Sequence, residues 1–271
     1  MVDRSKTPIA LTIAGSDSGG GAGIQADLKT FSALETYGCS VITALTAQNT
    51  RGVQGIFEVE PAFVRAQLDA VFEDLSVAAV KIGMLGTAAI IEAVAQGLER
   101  WRPAWVVVDP VMVAKGGDRL LRADAVKALR ERLLPLASVL TPNLPEAGDL
   151  LEEQEVSLRR QMPGVAARLR QLGPAAVLLK GGHLPGKESP DLLVHERAQR
   201  WFEGVRTPTK NTHGTGCTLS AAVAALLARG LVIDDAVAEA KRYVEDAIAA
   251  ADQLEVGSGH GPVHHFHRVW K

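Results

Sequence analysis

Short runs of β-branched and other apolar residues recur along the chain, each followed by a longer stretch with helical spacing. This alternation limits the fold more than any other feature. The runs 9-IALTIA-14, 40-SVITALTAQ-48, 77-VAAVKIG-83, 104-AWVVVDP-110, 137-ASVLT-141 and 175-AAVLLKG-181 read as strands. Several are apolar at nearly every position, as strands covered on both faces of a parallel sheet must be. Helices are expected near 22–36, 61–75, 87–99, 122–133, 157–171, 214–229 and 233–252. In 61-PAFVRAQLDAVFEDL-75, Pro61 suits a first turn, and Phe63, Ala66, Ala70 and Val71 share a face. The segment 191-DLLVHERAQRWFEGVRT-207 holds two strand-like runs with no helix between them, which predicts an antiparallel hairpin added to the sheet. The expected class is α/β: a mostly parallel central sheet flanked by helices, in one domain over residues 1–271.

The charge balance removes whole classes of function. With 29 basic and 31 acidic residues the formal net charge is -2, so no basic field points to nucleic acid or a membrane surface. An anionic ligand must be met by a local site. Two cysteines, Cys39 and Cys217, form neither a disulfide framework nor a zinc spacing. No apolar run approaches the roughly 20 residues of a membrane span, and the start MVDRSKTPIALTIAG has no signal core; the expectation is a cytoplasmic protein.

In open α/β sheets ligands bind beyond the carboxyl ends of the strands, so the residues following each strand carry the functional reading. After the first comes 14-AGSDSGGGAGIQADLKTF-31. Gly19 and Gly21 fit a dinucleotide fingerprint but position 24 is Ile, and the chain has no G-x4-G-K-[ST]. Five glycines give up much chain entropy unless the backbone approaches a ligand or folds over it. After the next three strands come 47-AQNTRG-52, 83-GMLG-86 and 109-DPVMVAKGGD-118. Packing accounts for any one of Gln48, Met84, Val111 and Met112. As a set on one sheet edge they form apolar walls for a flat ring, with one amide to orient it.

Farther on, 141-TPNLPEAGDLL-151 places Pro145 and Glu146 in a helical first turn, where a carboxylate is favoured anyway. Asn143 and Glu146 also offer oxygen ligands to Mg²⁺ or its waters. In 180-KGGH-183, Lys180 at a buried strand end favours contact with an anion. The segment 211-NTHGTGCTLSAA-222 opens a helix whose first N–H groups lack intrahelical acceptors. One capping residue would satisfy an ordinary helix start. Thr212, His213 and Thr215 with Gly214 and Gly216 exceed that need and point to an anion site. Cys217 then sits where a thiol pKa can fall, or it fills the pocket floor; the residues leave both open. His264, His265 and His267 match no metal-binding spacing and read as packing or surface histidines.

Together AGSDSGGGAGIQADLKTFSALETYGCSVITALTAQNT, KIGML, TPNLPEA, KGGH, NTHGTGCTLSAA and GPVHHF resemble the hydroxymethylpyrimidine/phosphomethylpyrimidine kinases of thiamine biosynthesis, in the ribokinase-like superfamily. The likeness runs in order from about residue 8 to 267. It implies a ribokinase-like three-layer sandwich that uses ATP and Mg²⁺ to phosphorylate 4-amino-5-hydroxymethyl-2-methylpyrimidine and then its monophosphate. Activation by a monovalent cation is left open. By the same resemblance Gln48 hydrogen-bonds the pyrimidine, and Gly15, Asp27, Met84, Val111 and Cys217 line its pocket. Asn143 and Glu146 organise Mg²⁺ with Asp109 near it, Lys180, His213 and Thr212 contact phosphates, and the backbone of Gly214, Thr215, Gly216 and Cys217 forms the anion hole. A homodimer is implied. Gly20 departs from the more usual Ser, which touches the loop's contacts only. The competing readings are a pyridoxine/pyridoxal kinase, whose ring substrate is of similar size, and a non-catalytic pyrimidine sensor, for which a metal–phosphate apparatus is superfluous.

Overall fold

The computed structural model describes residues 7–112, 121–196 and 198–270. The part of the 109–118 segment beyond Met112 therefore lies outside the described residues. The parallel strands are β1 (Ile9–Ala14), β2 (Tyr37–Ile42), β5 (Ala79–Ile82), β6 (Trp105–Val108), β7 (Val139–Leu140) and β8 (Ala176–Lys180). They are joined at one end by antiparallel β9 (Asp191–His195) and β10 (Ala198–Phe202), the expected hairpin. The eight strands run in the order β10-β9-β8-β7-β6-β5-β1-β2. Two strands stand apart as an antiparallel ribbon, β3 (Ala44–Asn49) with β4 (Gly52–Glu58).

The period-two alternation of each strand sorts its side chains to two apolar layers. Leu11, Ile13, Val80, Ile82, Val106 and Val108 face the layer under α2 (Pro61–Asp74), α3 (Ala88–Trp101), α4 (Ala123–Ala128), α5 (Leu144–Leu151) and α6 (Met162–Arg170). Ala10, Ala79, Val107, Val139 and Leu178 face the other layer, under α1 (Gly23–Ala33), α7 (Thr215–Ala228) and α8 (Ile233–Ala249). Residues 218–228 of α7 are all buried, so this helix has no wet face. Its small side chains let it lie close against the sheet.

Four sequence expectations need correction. The run 40–48 is two strands, because the chain leaves the sheet at Thr43, whose N–H donates to the Ala14 carbonyl at 3.0 Å and whose hydroxyl donates to that of Met84 at 2.7 Å. The ribbon's other strand, β4, lies beyond that run; it carries Gly and polar residues and is mostly exposed, so it lacks the apolar signature of a core strand. In α2 the buried residues are Val64 and Leu68, while Phe63 is exposed. The helices expected at 122–133 and 157–171 are shorter: α4 widens to π-type turns over Leu129–Leu133, and a 3-10 turn at Arg159–Gln161 precedes α6. Among the described residues no helix is long and apolar enough to cross a membrane.

Strand alternation also turns a charged residue, Lys81, into the α1/α7 layer, where it meets Asp27. Lys81 of β5 and Asp27 of α1 pair at 2.8 Å, both without solvent exposure, and Thr12 donates to the same Asp27 oxygen at 2.6 Å. Burial works against the Lys81 ammonium, but the nearby charge of Asp27 overrides it and holds the proton on the lysine. Breaking a buried pair from one side strands the remaining charge. Lys81→Met is therefore expected to cost about 3–5 kcal/mol in urea unfolding, with much of that loss recovered in Lys81→Met/Asp27→Leu. Equal losses in the single and double variants would show that the pair itself is not the source.

Candidate active site

The sheet's strand order reverses between β1 and β5, and the cleft lies beyond the carboxyl ends of these strands and of β6, β7 and β8. A cavity of about 610 Å³ is lined there by Gly15, Gln48, Lys81, Met84, Asp109, Val111, Met112, Glu146, Lys180, His213 and Cys217, among others. A second cavity of about 360 Å³ adjoins it. The two share Asn143, Lys180, His183, Thr212, Thr215 and Gly216, so they meet at the N-terminus of α7.

The glycine loop after β1 is organised from inside. The buried Asp17 carboxylate accepts the N–H groups of Gly19 at 2.8 Å, Gly21 at 3.1 Å and Ala22 at 2.8 Å, and lies 2.9 Å from His213 Nε2. The donors a phosphate loop would offer are thus already occupied, and the loop folds over its own anion. Burial opposes the charge on Asp17, but His213 and these N–H groups prevail and hold its pKa below the ordinary value. Ser18 exchanges two 2.8 Å hydrogen bonds with the backbone of Gln48, fixing β3 to the loop. The Gln48 amide lies 3.3 Å from His213 Nε2 and 3.2 Å from Thr46 Oγ1. Gly15 packs closely against Met84, so a Cβ there would fall 2.5 Å from Met84 Cε and push that thioether aside. One end of the larger cavity is therefore a slot between apolar walls with an oriented amide.

The other end is charged. Lys180 Nζ is 2.9 Å from Asp109 Oδ1 and 3.9 Å from Glu146 Oε2. Thr141 at 3.2 Å and Ser220 at 3.3 Å also donate to Asp109. Burial resists the Asp109 charge, yet Lys180 and Lys81 hold its pKa below the carboxylate range. Glu146 goes the opposite way: burial, with Asp109 adding to it, pushes its pKa up to about 7 despite Lys180. Glu146 and Asn143 form a reciprocal cap on α5, each accepting the other's backbone N–H at 2.8 Å.

At the junction, α7 begins without a side-chain cap. Its N-cap Gly214 has φ of +79°, and a Cβ there would come within 1.9 Å of the Gly21 carbonyl oxygen, so only glycine fits. A Cβ on Gly216 would stand 3.4 Å from Lys180 Nζ, which shows how near the ammonium is to the helix end. First-turn N–H groups and a cation thus converge where the two cavities meet. Cys217 faces the larger cavity, but burial outweighs Lys81 and pushes its thiol up to about 11.

Most expected residues gather here: Gly15, Gln48, Met84, Asp109, Val111, Asn143, Glu146, Lys180, Thr212, Gly214, Thr215, Gly216 and Cys217. Asp27 does not line the cavity; it lies behind the wall and reaches it only through Lys81. His213, expected at the phosphates, pairs with Asp17 and lies beside the Gln48 amide. Sequence reasoning missed Asp17, Lys81 and the apolar residues of the second cavity, Val205, Leu219, Val244 and Ile248. Asp17 had a signal, an acceptor two residues before a glycine run. The others look like ordinary strand and helix residues. Among the described residues no group of three or more His, Cys, Asp or Glu could hold a metal, His264, His265 and His267 included.

A mostly parallel sheet with helices on both faces and two cavities meeting at a helix N-terminus defines a small-molecule kinase of the ribokinase-like fold. The family model for phosphomethylpyrimidine kinase matches residues 17–264. The chain is 57% identical over 261 residues to the hydroxymethylpyrimidine/phosphomethylpyrimidine kinase of Escherichia coli (strain K12), covering 96% of this chain and 98% of the relative. Among solved structures, the phosphomethylpyrimidine kinase of Clostridium difficile 630 superposes with a TM-score of 0.80 at 45% identity, over 90% of this chain and 100% of its own. The pyridoxal kinase of Bacillus subtilis, an ADP complex, gives 0.90 at 38% identity, over 98% and 100%. The chain belongs to the phosphomethylpyrimidine kinase family.

The Glu146 shift has a stability consequence. Its folded pKa of about 7 stands above the ordinary 4.5, so its favourable contribution is full below pH 4.5 and is lost as pH rises through 7. Glu146→Gln keeps an acceptor for the Asn143 N–H and carries no charge. Relative to the parent, this variant is expected to gain about 1–3 kcal/mol in urea unfolding between pH 5 and pH 8. A difference independent of pH would contradict the assignment.

Proposed function

We propose that this protein transfers the γ-phosphate of ATP to the hydroxymethyl oxygen of 4-amino-5-hydroxymethyl-2-methylpyrimidine, and then phosphorylates the monophosphate, in thiamine biosynthesis. The observation that carries this reading is the meeting of a ring slot and a second cavity at the uncapped N-terminus of α7, beside Lys180. The pyrimidine lies between Gly15, Met84 and Val111, with its polar edge on the Gln48 amide. The nucleotide enters the second cavity, where Val205, Leu219, Val244 and Ile248 offer an apolar surface. The transferring phosphoryl group then sits at Gly214–Cys217, within reach of Lys180 and Thr212.

Phosphoryl transfer asks for positioning and charge neutralisation more than for covalent participation by the protein. The α7 donors are fixed before the reaction begins, and Lys180 supplies a cation whose stem is buried. Mg²⁺ fits the donor set, because it needs only one or two carboxylates beside substrate phosphates; Glu146 and Asp109 would hold it, with Asn143 fixing Glu146, and it would neutralise phosphate charge. A loose transfer demands little from a base. With its thiol at about 11, Cys217 serves as the neutral floor of the slot and not as a thiolate.

The homodimer belongs to the same proposal. The β3–β4 ribbon exposes Leu45 and Phe57, paired on one face, an apolar surface suited to a second copy, and Phe57→Asp is expected to shift sedimentation from dimer to monomer.

The decisive assay offers Mg-ATP with the hydroxymethylpyrimidine, its monophosphate and pyridoxal in parallel. Both pyrimidines should be phosphorylated; efficient turnover of pyridoxal alone would sink the reading. Lys180→Ala is expected to lower kcat by about 100- to 1000-fold with little change in pyrimidine affinity. Cys217→Ser should stay within about tenfold of the parent rate, whereas a larger loss would restore the thiolate base.

A further inference from the structure

The C-terminal segment GPVHHF has no part in the site described above, yet it is laced to the elements that build it. The His213 N–H donates to the Gly261 carbonyl at 3.0 Å, and the Val263 N–H donates back to the His213 carbonyl at 3.3 Å. Earlier in the same strap the N–H groups of His260 and Gly259 donate to the carbonyl and hydroxyl of Thr50, at 2.8 and 3.1 Å, in the turn between β3 and β4. One strap therefore joins the ribbon bearing Gln48 to the loop that leads into α7.

The strap ends on a buried histidine. His265 is only 5% exposed, its carbonyl accepts the Tyr243 hydroxyl at 2.7 Å, and its Nε2 lies 3.1 Å from Thr218 Oγ1. The Thr218 hydroxyl also lies 2.8 Å from the Gly214 carbonyl, which accepts the Thr218 N–H at 2.8 Å as well. A hydroxyl has one proton. With that proton on the Gly214 carbonyl, the Thr218 oxygen must accept, so His265 donates from Nε2. Burial, with Lys29 and the neighbouring histidines adding to it, pushes the His265 pKa down to about 3, consistent with a neutral ring and a single N–H. The sequence His265, Thr218, Gly214 thus ends on the peptide that carries the left-handed turn opening α7.

We infer that His265 is a positioning residue for phosphoryl transfer: by donating to Thr218 it sets the direction in which the Gly214 carbonyl points, and so aims the N–H groups on the other side of that turn into the cleft. The inference rests on the proposed reading of the α7 N-terminus as the phosphate site. A core histidine that merely packs predicts something else: lost stability with the rate of the folded fraction unchanged.

The test uses the full-length enzyme with Mg-ATP and the hydroxymethylpyrimidine. Turnover by the unaltered chain tests the reading of the pocket, and the variants test the strap. Thr218→Val, nearly isosteric, is expected to lower kcat about tenfold or more while calorimetric pyrimidine affinity without nucleotide stays within about twofold. His265→Phe should do the same, and His265→Gln, which can donate from a similar position, should recover to within about threefold of the parent. The double variant Thr218→Val/His265→Phe should be no slower than the worse single variant, because both break one chain of contacts. The inference is overturned if Thr218→Val keeps the parent kcat, if His265→Gln is as slow as His265→Phe, or if the two effects multiply. Should His265→Phe fail to fold, Thr218→Val decides alone.

Discussion

Everything in the site depends on burying α7 on all sides. A helix end exposed to water offers its N–H groups to solvent, and its dipole is screened within a turn. Here α1, α8 and the sheet cover the helix, and only its first turn reaches the larger cavity. The donors keep their direction because the chain entering the helix is held from three sides: by Gly21 pressed against Gly214, by Asp17 against His213, and by the C-terminal strap. The glycine loop after β1 serves this same end. It spends its N–H groups on Asp17 and so becomes a wall of the cleft, with no donors left over for an anion.

That arrangement also decides how the charges divide. Lys81 and Lys180 both stand near Cys217 and Asp109, yet they are not equivalent. Lys81 is fully buried and matched to Asp27 at 2.8 Å, so it is part of the floor. Lys180 is 13% exposed, shares its charge between Asp109 and Glu146, and borders both cavities. Of the two, only Lys180 reaches the place where both cavities meet. Lys81, matched to Asp27 and without solvent exposure, has no comparable freedom.

How legible the sequence was follows from where each signal comes from. Burial on both faces writes itself as uninterrupted apolar runs, so β1, β5, β6 and β8 and the layers around them could be read directly. The ribbon strand β4 could not, because GVQGIFE is mostly exposed and its pairing partner, not its composition, makes it a strand. The uncapped start of α7 on the cleft was legible because the glycines and hydroxyls of 212–216 exceed what a cap requires. Asp27 was misplaced for a related reason. Strand and helix periods tell which face a residue takes, but Asp27 and Lys81 share a face with the cavity wall, and only side-chain length decides which of them reaches the opening. The second cavity was invisible, since Val205, Leu219, Val244 and Ile248 are ordinary apolar residues brought together from the segment after β10 and two helices.

Cys217 shows why position alone cannot assign a role. A helix N-terminus lowers a thiol pKa when the thiol is otherwise solvated. In this cleft the sulfur has lost water, and desolvation disfavours the thiolate by more than Lys81 restores, leaving the pKa near 11. Asp27 and Asp109 nearby act in the same direction as burial. The same two carboxylates that keep Lys81 charged thus keep Cys217 neutral. The charge available for transfer chemistry is concentrated in Lys180 and the α7 backbone, both on the side where the two cavities join.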